Sequence, residues 1–321
     1  MSDYKKFMEE LKAKVAEKMG EEYGTEVHQV TKANVGSIDA LIVFRRDRTE
    51  RTVSPTFYFP PLFYEYSEGR KLEDIAEDIK EVYYGQAAEM AETVRNLGDI
   101  RDYECCRQRI YFRLVNTEKN KAFLEDKVHF EVLDLSMAVY ILVGENGDGV
   151  GSVPVQNRLL ELWGVTATEV RKQAEKNTPL LFPPEVLPLA SVMAAILRQK
   201  TGNDVDTGVW DAPEEPGKGE MFVMSNTKGI NGFSAVLYPE ALKDFAGTVG
   251  KNLYVLPSSV HEALLFPKDN TAIMPKELQE MVAEVNASPA VAEEDILSDS
   301  LYYYDREKNE LRMAEGCICA E

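Results

Sequence analysis

The sequence contains few of the side chains from which metal sites are built. Its 321 residues include three histidines and four cysteines, which are His28, His129, His261, Cys105, Cys106, Cys317 and Cys319. No histidine has a second histidine four residues away, as a helical zinc motif requires. The adjacent cysteines and the Cys-x-Cys pair would chelate one tetrahedral zinc ion poorly, and their spacing is not that of a disulfide framework. We therefore expect no metal, and reduced thiols as in cytoplasmic proteins.

A long apolar segment is missing too. The longest apolar run extends from Val132 to Val143 and is interrupted by Asp134, whereas a helix that spans a bilayer needs about 20 residues. Residues 1–19 alternate charged and apolar side chains, a pattern that differs from a secretory signal. We expect a cytoplasmic protein without a membrane partner.

Loops that bind phosphate or activate a serine are absent from the sequence. The glycine-rich stretch from Gly144 to Gly151 lacks the Lys-Ser/Thr of a P-loop, and its acidic residues repel phosphate. It is typical of a hairpin turn. No Gly-x-Ser-x-Gly elbow surrounds Ser258 or Ser259. We expect no cofactor.

Positive charge is scarce, because 36 lysines and arginines face 55 aspartates and glutamates, and the formal net charge is -19. An acidic field repels phosphate backbones, so direct nucleic-acid binding is not expected. The acids can simply provide solubility, since lysines and arginines are interspersed among them. Alternatively, they can mimic nucleic-acid phosphates and occupy the basic groove of a DNA-binding enzyme.

What the sequence does contain is a mixture of amphipathic helices and alternating strands. Thr166 and Glu169 have the spacing of a capping box, which predicts a helix from Ala167 to Lys176 that stops before Pro179. Alternation predicts strands such as Phe233–Leu237. Because helices and strands do not alternate strictly, we predict an α+β fold with mixed, largely antiparallel sheets covered by amphipathic helices.

Composition changes abruptly at residues 201–219, where glycine, proline and acidic residues dominate. This predicts a flexible linker or surface insertion between an N-terminal α+β part (1–200) and a smaller C-terminal α+β part (220–314), with a tail at 315–321. Residues 110–143 and 233–266 share an order of strand, helix and apolar strands, so a duplication into two related halves remains possible. Helices in the C-terminal part should bury Leu242, Phe245, Leu278, Met281 and Val282.

The most distinctive word is Ser258-Ser259-Val-His261-Glu262. It contains the residue types of a nucleophilic triad, and a distant acid such as Asp299 could complete it. In an extended strand, however, Ser259 and His261 lie roughly 7 Å apart and Glu262 points the other way. A capping box or a turn between strands explains the same residues. Both interpretations stay open, with Ser258, Ser259, His261 and Glu262 as the catalytic candidates.

Aromatic runs are a further feature: Phe57-Tyr58-Phe59, Phe63-Tyr64, Tyr66 and Tyr302-Tyr303-Tyr304. Adjacent residues in a strand point to opposite faces, so each run can bury one ring and expose another. Exposed tyrosines are typical of protein-binding surfaces, and tyrosine is equally common in ordinary sheets.

Several segments resemble one family along nearly the whole chain: residues 54–75, 159–170, 177–185, 238–267 and 298–307. The family comprises uncharacterised proteins, widespread in gut clostridia, that are catalogued only as a domain of unknown function. Its most recognisable word is similar to Leu256-Pro-Ser-Ser-Val-His-Glu262. The resemblance implies one complete unit between about Tyr4 and Leu311, and it brings no activity, cofactor or catalytic residue with it.

These observations predict a cytoplasmic, non-enzymatic accessory or regulatory protein that acts through a protein partner. The alternatives from other classes are the acidic nucleic-acid mimic and a hydrolase-like site around Ser258, Ser259 and His261.

Overall fold

The computed structural model describes residues 3–47, 55–97, 99–146, 149–201, 221–268, 274–288 and 291–314, and of 86–97, 145–146, 149 and 199–201 it describes the backbone only. Residues 202–219 of the predicted linker and the predicted tail, with Cys317 and Cys319, lie outside the described residues. The described strands form three sheets in which all neighbours are antiparallel, and helices pack on them. The predicted α+β fold is confirmed.

The N-terminal sheet is covered by three helices. The elements are α1 (Asp3–Met19), β1 (Tyr23–Lys32), β2 (Gly36–Arg45), β3 (Thr56–Tyr58), α2 (Phe59–Ser67) and α3 (Leu72–Leu97), and the strand order is β1-β2-β3. Phe7, Leu11 and Val15 repeat every four residues on α1, so they share one face and are buried there. They pack in one cluster with Leu41 of β2 and Phe59 of α2.

The middle sheet is built around the long strand β6. The elements are α4 (Tyr103–Cys106), β4 (Ile110–Asn116), α5 (Lys121–Leu124), β5 (His129–Val132), β6 (Leu135–Asn146), β7 (Gly149–Pro154), α6 (Asn157–Trp163) and α7 (Ala167–Leu181). Strand β4 lies on one side of β6, and both β5 and β7 pair with its other side. The pairing of β6 with β7 agrees with the hairpin predicted at Gly144–Gly151.

The C-terminal sheet has the order β13-β12-β10-β11-β9-β8. Its elements are β8 (Pro184–Pro188), α8 (Leu189–Thr201), β9 (Phe222–Asn226), α9 (Ala241–Val249), β10 (Leu253–Pro257), β11 (Ala263–Pro267), α10 (Pro275–Asn286), β12 (Tyr302–Asp305) and β13 (Glu310–Met313). Strand β8 precedes residues 201–219 and β9 follows them, yet the two strands pair. One sheet therefore contains strands from both sides of the predicted linker.

The largest apolar cluster lies between the middle and C-terminal sheets. It includes Ile110 and Phe112 of β4, Met224 of β9 and Val255 of β10. Because side chains alternate along a strand, the residues between these point to the opposite faces. We call these the far face of the middle sheet, which carries Tyr111 and Tyr140, and the outer face of the C-terminal sheet, which carries Tyr254, Leu256 and Tyr303.

Helix α7 begins as predicted but does not stop before Pro179. The capping box is present, since Thr166 Oγ1 accepts from the Glu169 amide and Glu169 accepts from the Thr166 amide. The helix continues through the proline because tertiary contacts hold its last turns. Asn177 donates to the carbonyls of Arg107 and Ile110 at 2.7 and 2.8 Å. These bonds outweigh the one lost at Pro179.

The predicted strand Phe233–Leu237 is wrong, because Gly232–Leu237 is a 3-10 helix. Residues 232–236 are buried on every side, so alternation in the sequence does not separate a buried face from an exposed one. Ser234 accepts a hydrogen bond from the Leu114 amide at 3.2 Å, which ties this turn to β4. Residues 233–266 therefore begin with a 3-10 helix, whereas residues 110–143 begin with a strand, so the two segments compared for a duplication differ in their first element.

No helix in the described part of the chain combines the length and apolar character needed to cross a membrane.

Candidate functional site

The distinctive segment Ser258–Glu262 is the connection between β10 and β11. Its polar groups close on one another: the Ser259 amide donates to the Glu262 carbonyl at 3.3 Å, and the His261 amide donates to Ser259 Oγ at 3.0 Å. Ser258 Oγ donates to Glu262 Oε1 at 3.3 Å. This is the turn between strands that the sequence allowed as one interpretation.

The ring of His261 is occupied at both nitrogens. Nδ1 accepts from the Asn231 amide at 3.3 Å, so in the neutral ring Nε2 carries the proton. Nε2 lies 3.3 Å from Asp295 Oδ1. The structure thus brings Ser258, Ser259 and His261 into one turn, but within the described chain neither serine hydroxyl is hydrogen-bonded to the ring.

A triad requires a hydroxyl on one nitrogen of the histidine and an acid on the other. At His261 the first of these positions is taken by the amide of Asn231. The acid suggested from the sequence, Asp299, accepts instead from Asn286 Nδ2 at 2.7 Å. Asp295 is the acid that meets the histidine, and sequence reasoning missed it. These contacts give the hydrolase alternative no support.

The turn also anchors two other connections. The His261 carbonyl accepts from Ser225 Oγ at 2.8 Å, and the Val260 amide donates to the Asp295 carbonyl at 2.8 Å. A Cβ placed on Gly232 would lie 2.1 Å from Ser225 Oγ and 2.4 Å from the His261 carbonyl oxygen. Only glycine fits where the two segments approach this closely. The segment Ser258–Glu262 therefore holds together three connections: its own turn, the one that follows β9 and the one that contains Asp295.

A second polar cluster surrounds Asp134, at the turn between β5 and β6. Its Oδ1 accepts from the Tyr302 hydroxyl at 2.8 Å, and its Oδ2 accepts from Ser298 Oγ at 2.5 Å. Burial raises the pKa of Tyr302 well above its ordinary value, and the neighbouring Asp134 charge adds to the rise. The phenol therefore remains a donor, and this cluster too is closed on itself.

The described cysteines offer neither a metal site nor an activated thiolate. Cys106 is buried and donates to the Ile100 carbonyl at 3.6 Å, and burial raises the pKa of its thiol to about 11. Cys105 is exposed, and the pKa of its thiol is also raised, first by the desolvation that remains at this surface position and then by the neighbouring Asp102 charge. Among the described residues, no group of three His, Cys, Asp or Glu side chains could hold a metal ion.

Many surface carboxylates are paired with cations. Arg70 contacts both Glu65 and Asp78, Lys14 contacts Glu17, and Lys32 lies 2.6 Å from Glu294. Such pairs occur on the helices of the N-terminal part and in the C-terminal part. These pairs neutralise part of the acidic surface, whereas a nucleic-acid mimic relies on carboxylates that remain available to a basic groove.

Of the aromatic runs, Tyr302, Tyr303 and Tyr304 are all buried, so they form no surface. Tyr64 on α2 is exposed, and the ring of Tyr66 packs against that of Phe7, with the ring centroids 5.0 Å apart.

Exposed apolar side chains lie instead on two helices that pack on the C-terminal sheet. Helix α10 packs on the outer face through Leu278 and Val282, which are buried. Beside them Met274, Met281 and Val285 are 63%, 43% and 41% exposed. These three are seven and four residues apart, so they form one row along the helix. We call it the α10 row.

Helix α8 lies on the same face. Val223 of β9 alternates with Phe222 and Met224, which face the main core, so Val223 points outward. It is nevertheless buried, and α8 contacts both β8 and β9. Towards solvent α8 presents Met193, Ile196 and Leu197, each more than 40% exposed.

Residues 4–306 match the family of unknown function DUF5688. The chain belongs to this family. No protein with a curated description and no solved structure matches it. The match includes every described strand except β13 and brings no activity to any residue, so the function of this family member has to be inferred from its own surfaces.

Proposed function

We propose that this protein is a non-enzymatic accessory protein of the cytoplasm that binds a partner protein through the α10 row. The observation that carries the proposal is the uncovered row itself, which lies beside a fully buried pair on the same helix. Contiguous exposed apolar side chains on a soluble domain are typical of interaction sites. The free thiols of Cys105 and Cys106 support a reducing compartment.

The charges around the row indicate what kind of partner fits. Glu277, Glu280 and Glu284 are exposed and lie within four residues of Met281, so they border the row on the side away from the sheet. Lys276 lies 3.7 Å from Glu280, and the border nevertheless carries an excess of negative charge. Methionine side chains adapt to differently shaped apolar partners. An apolar row with an acidic border is complementary to an amphipathic helix that has an apolar face and basic flanks.

The experiment uses a synthetic amphipathic peptide of leucine and lysine, about 18 residues long, which gives roughly five helical turns. Its fluorescence anisotropy is followed as the full-length protein is added. A peptide with glutamate in place of lysine is the control ligand. We expect the basic peptide to bind and the acidic peptide to bind at least about tenfold more weakly.

Two sets of variants test the site. Met281→Glu with Val285→Glu should weaken binding at least about tenfold, since burial of one such side chain contributes about 1.5–3 kcal/mol. Leu162→Glu, at an apolar residue on α6 that is 60% exposed, is the control at another site and should change nothing. Glu280→Lys with Glu284→Lys should reverse the preference towards the acidic peptide.

The proposal is overturned if the basic peptide does not bind, or if it binds the Met281→Glu/Val285→Glu variant as well as the unaltered protein. Light scattering after gel filtration adds a further outcome. A stable dimer that the same two substitutions dissociate would show that the row is covered by a second copy, and this would also overturn the partner assignment.

A further inference from the structure

The far face of the middle sheet carries a second feature that is independent of the α10 row. Tyr111, Arg113 and Val115 of β4 alternate with the core residues and point to this face. Tyr111 pairs with Tyr140 across the strands, and Arg113 pairs with Ala138. Because Ala138 is small, the Arg113 side chain has room to fold over its diagonal neighbour Tyr140. Its Cζ lies 3.7 Å from the centre of that ring.

Two polar groups at this point have unused hydrogen-bonding capacity. The Arg113 Nε–H and the Tyr140 O–H are both buried, and neither of these donors has an acceptor among the residues that the structure describes. Tyr140 is 1% exposed. Burial raises the pKa of the Tyr140 phenol, and the charge of Arg113 and a side-chain hydrogen bond from Arg113 oppose that rise. Because arginine can only donate, it engages the phenol oxygen and leaves the protonated hydroxyl available as a donor. Buried donors almost always have a partner, and one without calls for a missing ligand, ion or water.

The charge at this point is also uncompensated within the described chain. Although acids outnumber bases by 55 to 36 in the sequence, none of the ion pairs between described residues includes Arg113. A second cation lies on the same face, since Lys228 Nζ is 4.9 Å from the centre of the Phe182 ring. Phe182 in turn packs on Tyr111 at 4.9 Å, and Tyr111 lies 5.9 Å from Tyr140. Cations thus stand at both ends of a row of three buried rings.

We propose that Arg113 and Tyr140 bind a small oxyanion, the phosphate or carboxylate group of a small molecule. The guanidinium supplies the charge, and its Nε–H and the Tyr140 O–H supply two hydrogen bonds from groups that lie against each other. Guanidinium and phenol donors suit both oxyanions, and charge-assisted bonds of this kind are the strong ones. Arg113 as a residue is only partly buried, and we expect the anion to reach the two buried donors along its side chain.

The test titrates the full-length protein, in a zwitterionic buffer, with inorganic phosphate and separately with acetate. Calorimetry and the midpoint of thermal unfolding report binding, since a ligand of the folded state raises that midpoint. The two anions distinguish the sources: tighter phosphate binding indicates a phosphorylated molecule, and tighter acetate binding indicates a carboxylate. Binding of either at concentrations up to about 10 mM, which corresponds to a weak but specific site, supports the proposal.

Three variants make the result specific. Tyr140→Phe retains the ring and removes only the hydroxyl, so it should fold and should bind the anion about tenfold more weakly. In the absence of anion it should be at least as stable as the unaltered protein, because an unpaired buried hydroxyl has been removed. Arg113→Gln should abolish binding. Arg158→Gln, at an exposed arginine on α6, should behave as the unaltered protein and controls for the general stabilising effect of phosphate.

The proposal is overturned if neither anion binds, in which case water satisfies the two donors. It is equally overturned if Tyr140→Phe gains as much stability from phosphate or acetate as Arg158→Gln does.

Discussion

Gly232→Ala is the sharpest test of the role assigned to the segment Ser258–Glu262. The added methyl group would lie 2.1 Å from Ser225 Oγ, 2.4 Å from the His261 carbonyl oxygen and 3.0 Å from the Asn226 amide nitrogen. Two of these three atoms belong to the backbone, so a side-chain rotation cannot relieve the overlap. The 3-10 helix that begins at Gly232 must move away from the turn.

The cost follows from what that movement breaks. Overpacking of a tight site costs about 1–3 kcal/mol. Three hydrogen bonds join the turn to the segments around Gly232, and each contributes about 1 kcal/mol. They run from Ser225 Oγ to the His261 carbonyl, from the Asn231 amide to His261 Nδ1 and from the Phe233 amide to the Val260 carbonyl. We expect a loss of about 2–5 kcal/mol, a large part of the roughly 5–15 kcal/mol that stabilises a typical domain.

The assay is urea unfolding followed by circular dichroism, with Gly247→Ala as the matched control. Gly247 lies in α9, and a Cβ there would meet no atom within 4 Å, so the same substitution should stabilise by about 0.5–1 kcal/mol. Adding Ser225→Ala to Gly232→Ala should recover part of the loss, because it removes the closest atom but leaves the carbonyl. A Gly232→Ala protein within about 1 kcal/mol of the unaltered protein would refute the assigned role.

Three further substitutions have defined expectations. Glu240→Gly should stabilise the protein by about 0.5–1 kcal/mol in urea unfolding, because Glu240 has φ 66°, a value that favours glycine. Glu240 is the third residue of the turn that is closed by the hydrogen bond from the Ala241 amide to the Tyr238 carbonyl. No gain in stability would show that the ion pair of Glu240 with Lys243 contributes more than the backbone strain costs. Asn177→Ala should cost about 2–4 kcal/mol, since two carbonyls lose their buried donor, and a loss below about 1 kcal/mol would contradict the account of α7. The pKa of Cys106 is raised in the folded state from 9.0 to about 11, so its contribution to stability is complete below pH 9 and is lost as the pH rises towards about 11. The unfolding free energy of Cys106→Ala should fall less over that range, and equal slopes would exclude the thiol as the cause.

The sequence predicted well where local chemistry decides the structure. The capping box of Thr166 and Glu169 formed because both partners lie within one turn of each other. Leu242, Leu278 and Val282 are buried as expected, and Phe245 is half-buried. Met281 was expected to be buried and is exposed. Helical spacing fixes the buried face only approximately, and Met281 lies at its border beside Leu278 and Val282.

Prediction failed where distant residues decide the outcome. The proline rule would end α7 at Lys176 or soon after, but bonds from Asn177 to β4 and its preceding turn extend the helix beyond it. The strand pattern at Phe233–Leu237 was misleading because the segment is surrounded by two sheets. Asp295 was missed for the same reason, since nothing in the spacing of residues 261 and 295 indicates that they meet. For Arg113 a signal existed: it is a charged residue inside the apolar strand sequence IYFRLVN.

The contrast between His261 and Arg113 shows which polar clusters deserve a functional hypothesis. Ser258, Ser259 and His261 contain the more suggestive residue types, yet their donors and acceptors are satisfied by one another and by adjacent backbone. A polar group with a protein partner already holds its lowest-energy contact, and a ligand would have to displace that partner. Arg113 and Tyr140 are less suggestive in sequence, but their buried donors are unused among the described residues. Because a buried donor without an acceptor is costly, a ligand that accepts from both donors gains affinity, and this is why the oxyanion site is assigned there and not at the serine turn.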